Sequence, residues 1–393
     1  MKRNLLFLFI LIMLFTSCTK EDKLIDISSI EPVYKYDGSD DIEIDSKYKV
    51  IFEISDNYFV VSKEHHKQNF MDINGNLLLD KFYRNVFRFS DGLAPVIEED
   101  LKKCYYIDVN GKIVIDTVDG SEIRYSNPFR NGLAEIPLKN RSYNVKDFVI
   151  IDTKGNIVED YKLYLENAFI NKKNEIIYDK GKEINEILGK NSNKKLEEIS
   201  LKLEHDAGEN DVIFYSVGER VGLYDRKKDE LITQPKYIDY IDKFVNKKVY
   251  VLKMKRNYDA DLILIDETGK ELKKINNYGK LKLTEEKPLD FPSRASYGIS
   301  FTVNDDKIVA NFDKASVVLD MDGNEVLKSK YRNLLSVEEN GMISFYDEKT
   351  GKYGLINLND ELILKGYDMI SNVCNNAVLL EKDGKIVIHK FKN

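Results

Sequence analysis

Tryptophan is absent from this 393-residue chain, and histidine is scarce at four residues. No long basic run occurs: 60 Lys and Arg mix with 67 Asp and Glu, leaving a net charge of −7. Nucleic acid is therefore excluded as a partner, because phosphate binding needs a concentrated basic surface. Gly-x-Ser-x-Gly, His-Glu-x-x-His, a Walker loop and a dinucleotide fingerprint are all missing. Gly181 to Lys190 has Gly and Lys at the wrong spacing for a phosphate cradle. No histidine sits in a metal-binding spacing; His65 and His66 adjoin, and on a strand they would point to opposite faces as surface residues. No cofactor, metal site or catalytic residue is thus expected. A paired-carboxylate hydrolase stays open as the alternative, since such pairs are recognised by distance rather than by spacing.

A long apolar run occurs once, at the start. Lys2 and Arg3 precede an unbroken run from Leu5 to Phe15, which ends in Thr16-Ser17-Cys18. The run suits a secretory signal and is short of the roughly 20 residues that a spanning helix needs. Small residues before a Cys resemble a lipobox, the cleavage site of bacterial lipoprotein signals. The resemblance implies that residues 1–18 are a signal peptide, that Cys18 carries lipid, and that the membrane is a partner through that lipid. Acyl chains anchor by about 0.8 kcal/mol per buried methylene. Thr19-Lys20-Glu21-Asp22 resembles a surface-export signal, which implies a lipid-anchored place in the cell envelope, at the outer membrane or cell surface. Residues 19–47 are rich in Asp and Glu and read as an acidic, self-repelling tether. Asp37 to Asp45 offers carboxylates for calcium, against the simpler reading as a solvated linker. Cys104 and Cys374 stand near either end of the body, where a circular fold could pair them; otherwise they are buried thiols.

Self-similarity dominates residues 48–393. One unit reads Phe70-Met71-Asp72-Ile73-Asn74-Gly75-Asn76-Leu77-Leu78 and the next Tyr106-Ile107-Asp108-Val109-Asn110-Gly111-Lys112-Ile113-Val114. Copies recur around Asp152 and Gly155, Asp266 and Gly269, and Asp320 and Gly323; copies from Asp225 and Asn357 lack the Gly. Gly between apolar runs is a hairpin signal, because it accepts φ > 0 without a Cβ clash. The leading Asp can accept backbone N–H groups of its own turn. These aspartates are read as turn-makers. Other elements repeat too: Phe89-Ser90-Asp91-Gly92-Leu93-Ala94 matches Phe129-Arg130-Asn131-Gly132-Leu133-Ala134. Gly218-Glu219-Arg220-Val221-Gly222-Leu223 matches Gly351-Lys352-Tyr353-Gly354-Leu355, and Gln234-Pro235-Lys236-Tyr237 is echoed before Tyr331 and Tyr367.

At these residues the chain resembles the WG repeat family of bacterial proteins. It departs from that pattern in having Tyr353 and Val221 where the naming Trp would stand. The resemblance implies an envelope or secreted protein and no particular activity.

One short meander cannot bury its apolar face alone, so neighbours must stack. The expected fold is all-β: about eight units of three or four strands in a β-propeller-like ring, which protects strand edges. An open, twisted array of β-meanders is the alternative. Leu196, Ile199 and Leu203 recur at helical spacing and predict a short amphipathic helix within 182–207. Glu285 to Ser296 reads as a long loop and a candidate contact site. Tyr237, Tyr331, Tyr353 and Tyr367 are candidate binding residues, since exposed Tyr suits peptide or glycan contact; alternatively they fill half-buried strands. The expected function is a lipid-anchored module binding or scaffolding an envelope protein or glycan.

Overall fold

The computed structural model describes residues 26–55, 58–100, 103–123, 125–129, 132–137, 148–158, 164–170, 176–178, 198–202, 211–217, 220–228, 230–255, 259–282, 299–301, 306–338, 340–373 and 376–392. Within them the chain is all-β, and its one helical piece is the 3-10 turn Ile27–Ser29. Every strand pairing is antiparallel. The pairings form nine sheets among the described residues, one of which is only the hairpin Thr117–Val118 with Ser121–Glu122. The other eight follow one another along the chain. Sheets I to VIII span residues 49–72, 85–115, 133–152, 164–231, 239–275, 299–329, 334–367 and 369–390.

The sequence has period two in the middle strands, but both phases are apolar, so each sheet is buried on both faces. In sheet I, Val60 packs with Val96 and Ile107 of sheet II. Its neighbours Phe59 and Val61 point the other way, onto Ala377, Leu379 and Ile388 of sheet VIII. Likewise Val249 and Val251 of sheet V face Leu223 of sheet IV. Tyr250 and Leu252 face Ile308 and Val317 of sheet VI. Val309 of sheet VI then meets Ile343 and Phe345 of sheet VII, and Leu355 and Leu364 of sheet VII meet Val378 and Leu380 of sheet VIII. The last sheet therefore packs on the first, and the repeats form a propeller-like arrangement.

The fourth strand of sheet V lies at a sheet edge and is guarded by charge. Glu271–Ile275 exposes its first four residues, including Lys273 and Lys274. Such lysines blunt an edge that would otherwise template pairing. Lys274 and Lys255 share the Asp261 carboxylate on this edge.

Sheet VIII takes its fourth strand from the other end of the chain. Ile42–Glu43 pairs with Val387 and Ile388, and Ile44 N–H donates to Ile386 O at 2.9 Å. Residues 26–44 form a strap that crosses the edge of sheet VII before joining sheet VIII. Part of the span read as tether is thus laid on the ring; its scattered apolar residues, Ile27, Ile30, Tyr34 and Ile44, hold it there.

Two further expectations are corrected. Ile199 lies in the strand Glu198–Lys202, paired with Val212–Val217, not in a helix. The ladder to a neighbouring strand satisfies its backbone, which overrides a helical spacing carried by so few residues. Leu196 and Leu203 lie outside the described residues. His65 and His66 occupy the turn between Tyr58–Glu64 and Lys67–Asp72, not a strand; their rings touch at 3.8 Å.

Candidate functional site

The turn aspartates behave as turn-makers in each repeat. Asp72 Oδ1 accepts the N–H groups of Asn74 and Asn76, both at 2.8 Å. Asp108, Asp152, Asp266 and Asp320 do the same for the residues two and four positions on, at 2.8–3.1 Å. Gly75, Gly111, Gly155, Gly269 and Gly323 sit at φ of 76° to 83° beside them. Burial raises the Asp320 pKa, but the hydrogen bonds from Asn324 and Asp322 outweigh it, and the carboxyl lies below its ordinary value. Backbone hydrogen bonding from Lys112 lowers Asp108 in the same way. Asn357 builds the identical turn without a glycine: its Oδ1 accepts from Asn359 and Glu361, and Asp360 takes φ 63° in the glycine position. Asp225 departs from the pattern and accepts from Lys228 N–H at 2.8 Å.

The candidate binding tyrosines are not a surface. Tyr237, Tyr331 and Tyr367 are 0%, 1% and 6% exposed. Burial pushes each phenol up to about 12. Tyr237 and Tyr331 plug the cores between sheets IV and V and between sheets VI and VII. Tyr353 is half-buried and packs against Tyr346 at 5.1 Å. The glycine after it is required: a Cβ on Gly354 would lie 2.3 Å from Phe345 Cζ and 2.7 Å from Leu364 O. Gly222 is held in the same way under the Tyr215 ring. Cys104 is buried in sheet II, and desolvation raises its thiol to about 11. Cys18, Cys374 and the stretch 285–296 lie outside the described residues.

A cluster of chemically capable groups forms where the strap meets the ring, and sequence reasoning did not find it. His389 is 3% exposed in the last strand of sheet VIII. Its Nδ1 lies 2.7 Å from Asp41 Oδ1 and its Nε2 lies 3.0 Å from the Tyr34 hydroxyl. Tyr36 donates to the other Asp41 oxygen. Burial, then that hydrogen bond to the carboxylate, push the Tyr36 phenol strongly upward. The rings of Tyr34 and Tyr36 also meet His389 edge-on at 5.7 and 4.8 Å. Both imidazole nitrogens are thus engaged by strap residues, so the group works as a clasp. Lys365 adds a second fixing point: its ammonium donates to the carbonyls of Ile27, Ser28 and Ile30 at 3.2, 3.1 and 2.5 Å.

Beside the clasp an open cleft of about 630 Å³ runs between the strap and sheets VII and VIII. Pro32, Tyr34 and Tyr36 line it from the strap. Ile363, Leu364, Tyr367 and Leu380 are its buried apolar residues. Lys382, Asp383 and Lys385 line it from the tight turn of sheet VIII, where Asp383 and Gly384 take φ of 53° and 77°. Several acids nearby have partners: Asp37 accepts Ser39 N–H, Asp45 pairs with Lys47, and Lys392 sits 2.8 Å from Asp40. Among the described residues no three metal-ligating side chains gather.

No protein-family profile matches the chain, and no curated protein matches it. Solved structures of similar shape exist. The computationally designed Ika8 protein is 12% identical, with a TM-score of 0.45 over 86% of this chain and 95% of its own. BamB from Moraxella catarrhalis is 13% identical, with a TM-score of 0.43 over 90% and 97%. The WD40 beta propeller domain of Doa1 is 8% identical, with a TM-score of 0.32 over 87% and 92%. Likenesses this distant carry no argument about function.

Proposed function

We propose that this chain is a lipid-anchored binding or scaffolding module of the cell envelope, and that it engages a protein or glycan partner through the cleft beside the strap. The open cleft, walled by tyrosines and lysines on an otherwise acidic chain, carries the reading. The lipobox-like Thr16-Ser17-Cys18 and the WG-like repeats support the setting. With residues 26–44 docked, eight peptide steps separate Cys18 from Asp26 and reach at most about 28 Å. The ring is thereby kept close to its membrane.

Two measurements test this. Cells fed an alkyne fatty acid should label the wild-type chain and not Cys18→Ser. A photo-crosslinking residue at Tyr36 should capture an envelope component that the same residue at Leu272, on the edge of sheet V, does not. An unlabelled wild-type chain or identical capture from both positions would overturn the proposal.

A further inference from the structure

The cleft flanks a sheet edge unlike the others. Strand Leu362–Tyr367 is the fourth strand of sheet VII, so one side of its backbone has no sheet partner. Other fourth strands show more of themselves to solvent: Glu271–Ile275 and Glu325–Ser329 carry charge, and Ile113–Ile115 exposes Ile113 and Val114. Here Leu362, Ile363 and Leu364 are all buried, covered in part by the strap. The strap shows how backbone is received at this edge. It arrives extended, and Val33 N–H donates to Leu362 O at 2.8 Å. It then turns away into the clasp, and among the described residues no other backbone bond crosses that edge.

The charge around this edge is specific. The chain carries a net −7, yet the cleft holds Lys365, Lys382 and Lys385 against Asp383 alone. Lys365 is committed to strap carbonyls. Lys385 pairs loosely with Glu43 at 4.0 Å, and Lys382 stands 6.0 Å from the centre of the Tyr367 ring, near enough to Asp368 to help hold that carboxyl low. A basic island with buried aliphatic and tyrosine residues, beside an edge that the strap bonds at Leu362 O and leaves unbonded beyond it among the described residues, matches one kind of ligand.

The geometry points to an extended acidic peptide segment of a partner protein, added as a strand to the outer edge of Leu362–Tyr367. Main-chain bonds to the edge supply affinity, and side chains alternate between the apolar base and the two lysines. A glycan could use the lysines and tyrosines but not the backbone edge. This deepens the binding-module reading and names its partner class.

The probe is a fluorescein-labelled peptide alternating Glu with Val, six residues long to match the strand, read by fluorescence polarisation with the full mature chain. Binding is expected, weakening as salt rises. Lys382→Glu with Lys385→Glu should weaken it by about tenfold or more, because both rim charges reverse. Lys382→Ala with Lys385→Ala should fall between, and an unchanged urea midpoint shows that each variant is folded. A peptide N-methylated at alternate residues should not bind, because its edge-facing N–H groups are gone. No binding, equal binding by a Lys-Val counterpart, equal binding by the N-methylated peptide, or displacement by oligogalacturonate but not by unlabelled peptide would each overturn the assignment. Capture of an envelope glycan at Tyr36, with no peptide binding, would remove this inference and leave the wider reading standing.

Discussion

The strap clasp makes the sharpest stability prediction. Asp41→Ala removes the acceptor shared by His389 Nδ1, at 2.7 Å, and the Tyr36 hydroxyl. The His389 side chain is 4% exposed and that of Asp41 12%, so water replaces the lost partner poorly. An orphaned buried polar group costs about 1–3 kcal/mol. Tyr36 is 38% exposed and finds water instead, so the buried His389 nitrogen sets the loss at about 1–3 kcal/mol, most of it local to the strap. Asp41→Asn keeps an oxygen and an amide in place and should lose about 1 kcal/mol. Hydrogen exchange by mass spectrometry reads the difference. Peptides covering residues 33–44 should lose about one to two decades of protection in Asp41→Ala, at 1.4 kcal/mol per decade. Peptides of sheet V should be unchanged. Equal strap protection in wild type and Asp41→Ala would refute the clasp, as would loss spread evenly over the ring.

Further outcomes follow from the repeats. Gly354→Ala should destabilise by about 3 kcal/mol or more, because the new Cβ meets Phe345 and an immovable carbonyl. Gly366→Ala has open space at φ 84° and should lose only about 1–2 kcal/mol; similar urea midpoints for the two would contradict the packing account. Asp320 has a depressed pKa when folded, so its stabilising contribution is full above the unfolded value of about 3.9 and is lost as pH falls through the folded value. Asp320→Asn should keep the turn, as Asn357 does, and flatten that part of the acid unfolding curve. Cys104, with its thiol raised to about 11, should resist iodoacetamide at pH 8 in the native protein and react in urea, as followed by peptide mass mapping.

The turns were legible because their chemistry is local. Asp72 and Gly75 complete a hairpin within a few residues, so spacing alone identifies them. The ring followed from arithmetic on apolar faces: Phe59, Val60 and Val61 leave neither side of sheet I for water. The strap was misread because its many acids suggest a solvated chain, while a few residues such as Ile44 fix it to an edge far away in sequence. Tyr237 and Tyr331 were ambiguous for a related reason, since a repeating aromatic reports a repeating slot but not which way it opens. The cleft was invisible because Tyr36 and Tyr367 meet only once the ring closes, with their rings 6.2 Å apart.

The pairing of Ile42 with Ile388 joins an early and a late part of a nascent chain. Synthesis is vectorial, and sheets can stack as they emerge. The seam alone must wait for the final strand. Until then sheet I shows water the oily side that carries Phe59 and Val61, and the strap has nothing to grip. A ribosome that stalls, or a protease that nips the last hairpin, would leave a bracelet without its buckle, with both ends ready to stick to other molecules.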